Sequence, residues 1–317
     1  MPISSWYDLV KYLISLFRYK PDAYLGFTIK PVIYGGIAAR IVRVTTIMTI
    51  TGLGTIFIRE SKLTKLAEAL YRLSTRKANM VFFQNSDDLS IFLDRGLVTE
   101  GSTSTVPGSG VDLKRFRVRP MNNDRESGAV NFLMVSRLIR DKGVLEYVEA
   151  AEKIRERFPR TRFVLAGPAE VDNPTAIPRH QVKRWEANGT IEYVGYVDDV
   201  ESLIEKADCV VLPSYREGLP RSLLEASAMG RPIIMGLRGD ANDLIKRANA
   251  GITCNPENPK SINHAIEVFY NMPEEKLIAL GENGLRFYEN ELALDVGLNK
   301  LNNVFHNTIK KSSCGFK

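Results

Sequence analysis

Short runs rich in valine, isoleucine and phenylalanine alternate with stretches of helical spacing along most of this chain, and that alternation leaves few folds open. From the centre onward the runs are Val130 to Val135, Arg162 to Ala166, Ile191 to Val194, Cys209 to Pro213, Pro232 to Met235 and Gly251 to Cys254. Helical patterns fall between them at Val144 to Arg157, Val200 to Glu205, Pro220 to Met229, Ala241 to Ala248 and Pro259 to Phe269. Short β-branched runs that alternate with helical patterns predict an α/β fold with one complete, doubly wound parallel sheet.

The first part of the chain is thinner in such signals. Trp6, Leu9, Val10, Leu13, Ile14 and Phe17 have the spacing of an amphipathic helix, and extended segments follow at Ala23 to Thr28, Thr45 to Thr51 and Met80 to Gln84. Three strands fall short of a Rossmann-like domain and no glycine-rich strand-to-helix loop precedes them, so the expectation is a domain whose start is missing. The polar run Asn122 to Gly128 has no apolar periodicity and reads as a linker. The predicted layout is a partial domain over 1–120, a complete one over 121–292, and a terminal helix over 293–317 that packs back on the first domain.

Charge is distributed unevenly. Residues 1–80 hold 12 Lys and Arg against four acids, whereas the remainder holds 31 and 33, so the net charge of +6 belongs to the N-terminal part. A basic face suits an anionic membrane surface or a diphosphate, or is merely solvated; no recognition motif speaks for nucleic acid. Three cysteines (Cys209, Cys254, Cys314) lack paired spacing, which fits a reducing cytosol. No signal peptide is apparent, and the longest uncharged stretch, Val44 to Ile58, is shorter than the roughly 20 apolar residues a spanning helix needs.

The most specific chemical signal is Ser214-Tyr215-Arg216-Glu217-Gly218-Leu219-Pro220-Arg221-Ser222-Leu223-Leu224-Glu225. It follows a predicted strand, which puts Glu217 where open α/β sheets bind ligands. Pro220 suits a first helical turn, and the N–H groups of Arg221 to Leu223 then become unpaired donors for an anion. Glu225 lies about one turn further on, either facing a ligand or paired with Arg221 at i, i+4. A second constellation, Ser136-Arg137-Leu138-Ile139-Arg140-Asp141-Lys142-Gly143, joins another strand to a helix. Lys142 at that helix start opposes the macrodipole, which is explained if an anion binds there. A surface pair of Arg137 with Asp141 is the plainer alternative.

These segments resemble the retaining GT-B glycosyltransferases of family 4. Glu217 and Glu225 match that family's Glu-x7-Glu motif, and Arg137, Lys142 and Gly143 match its Arg-x4-Lys-Gly. Gly167-Pro168 resembles its turn after the second strand, and Val194 to Val200, with Tyr196 and Val197, its base-binding loop. Phe27 to Gly36 and Thr51 to Gly54 look like the acceptor domain of bacterial enzymes that extend lipid-linked saccharides. The resemblance implies a GT-B fold of two Rossmann-like domains, the N-terminal one incomplete here. It implies transfer of a sugar, with retention, from a nucleotide-diphosphate donor (a UDP-sugar) to a saccharide or polyprenyl-diphosphate-linked acceptor, with no metal or other cofactor. Glu217, Arg137 and Lys142 take catalytic roles, and Gly167, Tyr196, Val197, Gly218, Leu219, Pro220, Ser222, Leu223 and Glu225 bind the donor. The setting implied is cytoplasmic, peripheral to the inner membrane face. Departures are the missing Gly-rich loop, Thr51-Gly52 where many relatives carry a histidine, and Asp240-Ala241-Asn242-Asp243 in place of a Gly-Cys-Arg-Glu run. A non-catalytic sugar-nucleotide-binding remnant and a nucleotide-sugar epimerase remain the alternatives.

Overall fold

A computed structural model describes residues 4–53, 57, 61–106, 110–120, 129–215, 217, 219–236 and 241–314. The linker run 122–128, Gly54, Gly218 and Asp240 lie outside the described residues. The chain divides into two compact units, Met1–Ser109 with Asp295–Lys317, and Gly110–Leu294.

In the first unit the order is α1 (Ser4–Tyr19), β1 (Ala23–Phe27), α2 (Gly36–Val42), β2 (Thr45–Ile50), α3 (Lys62–Thr75), β3 (Met80–Phe83), α4 (Ser86–Asp94) and β4 (Thr103–Thr105). The strands pair in sequence order, all parallel, so β4 joins the three segments legible in the sequence. Side-chain alternation then fills both faces. Met48, Ile50, Val81 and Phe83 enter one core with Tyr71 and Phe92. The apolar stripe of α1 is split: Leu9, Leu13 and Leu16 pack with Ala38 and Ala39, while Val10, Ile14 and Phe17 stay exposed. Helix α3 went unread in the sequence; Ser61 caps it, its hydroxyl accepting the Thr64 N–H at 3.1 Å.

The second unit runs β5 (Asn131–Val135), α5 (Val144–Arg157), β6 (Arg162–Ala166), α6 (Arg179–Ala187), β7 (Glu192–Gly195), α7 (Val200–Glu205), β8 (Cys209–Leu212), α8 (Arg221–Ala228), β9 (Ile233–Gly236), α9 (Ala241–Ala248), β10 (Gly251–Cys254), α10 (Pro259–Tyr270) and α11 (Glu274–Phe287). Its six parallel strands are ordered β10-β9-β8-β5-β6-β7, the doubly wound arrangement whose direction reverses between β5 and β8. Strands β8 and β9 are buried at every position, which explains their uninterrupted apolar sequence. Residues 110–120, placed with the first domain on sequence grounds, belong to this unit because Val111 and Phe116 enter its core and Tyr288 hydrogen-bonds both backbone groups of Val111.

The last helix, α12 (Leu294–Cys314), returns to the first unit. There Leu301, Val304 and Phe305 cover Ile47, Phe82 and Val106 on the second face of the sheet, with the Phe82 and Phe305 rings 6.1 Å apart, edge to face. Among the described residues no helix is long and apolar enough to cross a membrane.

Candidate active site

At the reversal point the chain leaves β5 and β8 side by side, and the loops that follow must share the crevice at their carboxyl ends. The loop after β5 carries Ser136 to Lys142. Its course is set by backbone bonds: Ser136 N–H to the Ala166 carbonyl at 3.0 Å, Leu138 N–H to Pro168 at 3.1 Å, and Arg140 N–H to Thr175 at 2.9 Å. Gly167 permits this closeness, since a Cβ there would lie 1.8 Å from the Ser136 carbonyl oxygen, and its φ is +138°. Gly143 (φ +77°) does the same between the two loops, where a Cβ would lie 2.0 Å from the Pro213 oxygen.

These loops surround an open cavity of about 500 Å³. Arg137 and Lys142 line it from the β5 side; Pro220, Arg221, Ser222 and Glu225 line it from the start of α8; Tyr196 and Val197 line it from the loop after β7. The sequence-predicted cations and the α8 start therefore share one volume within one unit. Arg115 and Phe116, which sequence reasoning did not single out, line it too. Four cations among its lining residues, Arg115, Arg137, Lys142 and Arg221, make it a site for an anionic ligand.

Electrostatics inside the cavity are partly self-compensated. The Lys142 ammonium contacts the Glu217 carboxylate across the two loops, and these side chains are only 21% and 9% exposed. Lys142 lies in the turn Arg140–Lys142 just ahead of α5, where the helix start opposes its charge and Glu217 offsets that opposition. Arg137 is exposed and makes no ion pair among the described residues, so the alternative pairing with Asp141 is absent there. Glu225 does pair with Arg221, whose Nε donates to Oε1 at 2.8 Å. Burial raises the Glu225 carboxyl above the ordinary range, and the hydrogen bond and charge of Arg221 oppose that rise.

Several expectations need correction. Pro220 is the cap residue and α8 begins at Arg221, so proline precedes the first turn. The Leu223 N–H is no open donor: it bonds the Pro220 carbonyl at 3.1 Å, as first-turn amides do when the turn tightens. Its side chain is buried in the core, lining a small apolar void behind α8 with Met235 and Phe287. Leu219 packs against the core, and neither it, Gly167 nor Glu217 is part of the cavity wall. Glu217 reaches the site through Lys142. Gly218 lies outside the described residues. Asp199 caps α7 by accepting the Ser202 N–H at 3.2 Å, and the Asp198 carbonyl accepts from Arg115 at 2.8 Å. Tyr196 is 70% exposed, leaving its ring open at the cavity mouth.

Two parallel-sheet units, one with a cation-lined cavity at its switch point, define an α/β protein of the GT-B fold. Solved structures agree: the Anabaena protein HepE in complex with UDP and glucose superposes with a TM-score of 0.76 over 94% of this chain and 80% of that one at 17% identity. Sucrose-phosphate synthase from Thermosynechococcus elongatus gives 0.79 over 98% and 81% at 18% identity. The chain belongs to the family described as Glycosyl transferases group 1, which matches residues 121–287; a Glycosyl transferase 4-like match covers residues 6–85. Among curated relatives it is 27% identical over 262 residues to the N,N'-diacetylbacillosaminyl-diphospho-undecaprenol alpha-1,3-N-acetylgalactosaminyltransferase of Campylobacter jejuni, covering 77% of this chain and 67% of that protein. It is 28% identical over 255 residues to the UDP-Gal:alpha-D-GlcNAc-diphosphoundecaprenol alpha-1,3-galactosyltransferase of Escherichia coli, covering 75% and 64%. The matched region thus spans about two thirds of these relatives' length.

Proposed function

We propose that this chain transfers a hexosyl or N-acetylhexosaminyl group, with retention, from a nucleotide-diphosphate sugar, a UDP-sugar first among candidates, to a saccharide carried on a polyprenyl diphosphate. The observation that carries the reading is the single cavity at the β5 and β8 ends that collects Arg137, Lys142 and the start of α8. In transfer the bond from the anomeric carbon to the diphosphate breaks and a bond to the acceptor oxygen forms, with the acceptor's proton passing to the departing phosphate. Charge then accumulates on the diphosphate, and Arg137, Lys142 and the N–H groups of Arg221 and Ser222 at the start of α8 stabilise it. Glu217 orients the donor sugar and offsets positive charge at its ring, Glu225 binds the ribose, and Tyr196 and Val197 flank the base. Gly167 acts by shape, letting the β5 loop close down.

The names of the two undecaprenol-linked relatives support the acceptor class. The basic surplus of residues 1–80 and the exposed Val10, Ile14 and Phe17 of α1 support a place against an anionic membrane, on its cytoplasmic side. The test is transfer of radiolabel from a panel of UDP- and GDP-sugars to membrane extract. Labelled lipid-linked product from this chain, lost in Glu217→Ala while nucleotide binding persists, is the result expected; nucleotide binding without transfer from any donor would make the chain a sugar-nucleotide-binding remnant. Sedimentation with anionic vesicles at low salt, reversed as salt rises, tests the membrane part, and equal binding to neutral vesicles would remove its electrostatic basis.

A further inference from the structure

The loops bearing Lys142 and Glu217 are tied to each other away from the cavity wall. The Asp141 carbonyl accepts both the Tyr215 N–H and the Ser214 hydroxyl, each at 3.0 Å. Beside these backbone ties runs one between side chains: the Tyr215 hydroxyl donates to Glu146 Oε1 at 2.6 Å. Tyr215 stands two residues before Glu217, and Glu146 four after Lys142, in the first turn of α5, where the positive helix end favours a carboxylate. Burial, then the bond to Glu146, pushes the Tyr215 hydroxyl far above its ordinary range, so it stays a donor. Glu146 Oε2 is buried with no hydrogen-bond partner among the described residues. Such an atom costs stability, and a protein keeps it where the carboxylate does something else. Neither Tyr215 nor Glu146 is among the residues lining the cavity.

We infer that Tyr215 and Glu146 form a strut between the two loops and are positioning residues for the transfer: the strut sets the place of the Glu217 carboxylate relative to the Lys142 ammonium. The inference rests on the reading of the cavity as a sugar-nucleotide site. A carboxylate that must meet the donor sugar while its neighbour holds phosphate is sensitive to small displacements, because misplacement of about 1 Å can cost two orders of magnitude in rate. The bonds to the Asp141 carbonyl hold the loops together at one point; the strut removes their remaining freedom to slide.

The test compares the unaltered chain with Tyr215→Phe, Glu146→Leu, Glu146→Gln and the Tyr215→Phe/Glu146→Leu pair, measuring kcat and donor KM with the donor that the panel identifies. Tyr215→Phe and Glu146→Leu are each expected to lower kcat about tenfold with donor KM held within about twofold, a split that mere unfolding does not produce. Glu146→Gln, which keeps the acceptor oxygen, should restore most of kcat, and the pair should be no slower than either single change. A Tyr215→Phe protein that turns over like the unaltered one overturns the inference, as does a pair whose losses multiply, or a kcat loss that tracks a lowered melting temperature. An unaltered chain that transfers nothing from any donor sinks the functional reading and this inference with it, whereas normal transfer by both proteins sinks the inference alone.

Discussion

The contact of Lys142 with Glu217 makes a quantitative demand on nucleotide binding. If Lys142 receives the diphosphate, it must give up part of its hold on Glu217, and the incoming anion must approach a carboxylate. Both effects oppose binding, and both vanish in Glu217→Gln, which keeps shape but not charge. The side chains are 21% and 9% exposed, so the pair is more shielded than a surface ion pair and less than a dry one. Exposed pairs are worth about 0–1 kcal/mol and fully buried ones cost about 3–5 kcal/mol to break, which brackets the exchange at about 1–2 kcal/mol. Glu217→Gln should therefore bind free UDP or GDP about 5- to 30-fold more tightly, at about 1.4 kcal/mol per factor of ten. Titration calorimetry at two salt concentrations measures this directly. The gain should shrink for the intact nucleotide sugar, whose sugar ring loses its partner at Glu217, and turnover should fall by about 10²-fold or more. Lys142→Ala should weaken diphosphate binding and remove most of the gain in the double variant. Diphosphate affinity unchanged or weakened in Glu217→Gln would show that the carboxylate and the ligand do not share Lys142.

Three further outcomes follow from the same geometry. Burial raises the Glu225 carboxyl in the folded chain, so as pH climbs the unfolded state gives up its proton first and stability is lost until the folded state ionises too. The melting temperature of Glu225→Gln should therefore gain on the unaltered chain as pH rises from about 4.5 and then hold level, and a gap that closes with pH would contradict the assignment. Arg231 is 1% exposed and donates to the carbonyls of Arg119, Pro120, Ile204 and Glu205 at 2.8 to 3.2 Å. Arg231→Ala should lower stability by about 3–5 kcal/mol in urea denaturation, since four carbonyls lose a buried cation, and a loss below 1 kcal/mol would show that water replaces it. Gly143→Ala adds a Cβ against Pro213 at a positive φ, and should depress both stability and diphosphate affinity by about 1–3 kcal/mol each; normal affinity would mean the β5 and β8 loops need not touch.

Much of the second unit is legible in the sequence because short strand-like runs alternate there with stretches of helical spacing: β6 and β10, and helices α5, α7 and α9, fall at the predicted bounds. Elements that carry mixed faces are harder. Helix α3 has leucines on its solvent side as well as its core side, Leu63, Leu66 and Leu73 being exposed, so its apolar residues do not mark one stripe. Strand β4, Thr103–Thr105, is three half-buried polar residues paired at an edge, and no local pattern announces it.

The site shows the same division between local and non-local information. Arg137, Lys142 and the Pro220 segment are visible because each sits where a strand gives way to a helix, a place that topology turns into a ligand crevice. That Glu217 would lie on Lys142, 75 positions away, needs the strand order, which puts β8 beside β5 although three crossovers separate them in the chain. Arg115 is illegible for a related reason: it precedes the sheet, within the residues that the sequence assigns to the other domain, and reaches the cavity because Val111 and Phe116 anchor that segment in the second unit's core. A cation delivered to an anion site by a packed linker is outside any strand-to-helix motif, and the way to find such residues from sequence is to ask which apolar anchors flank a charge, here Val111 and Phe116 around Arg115.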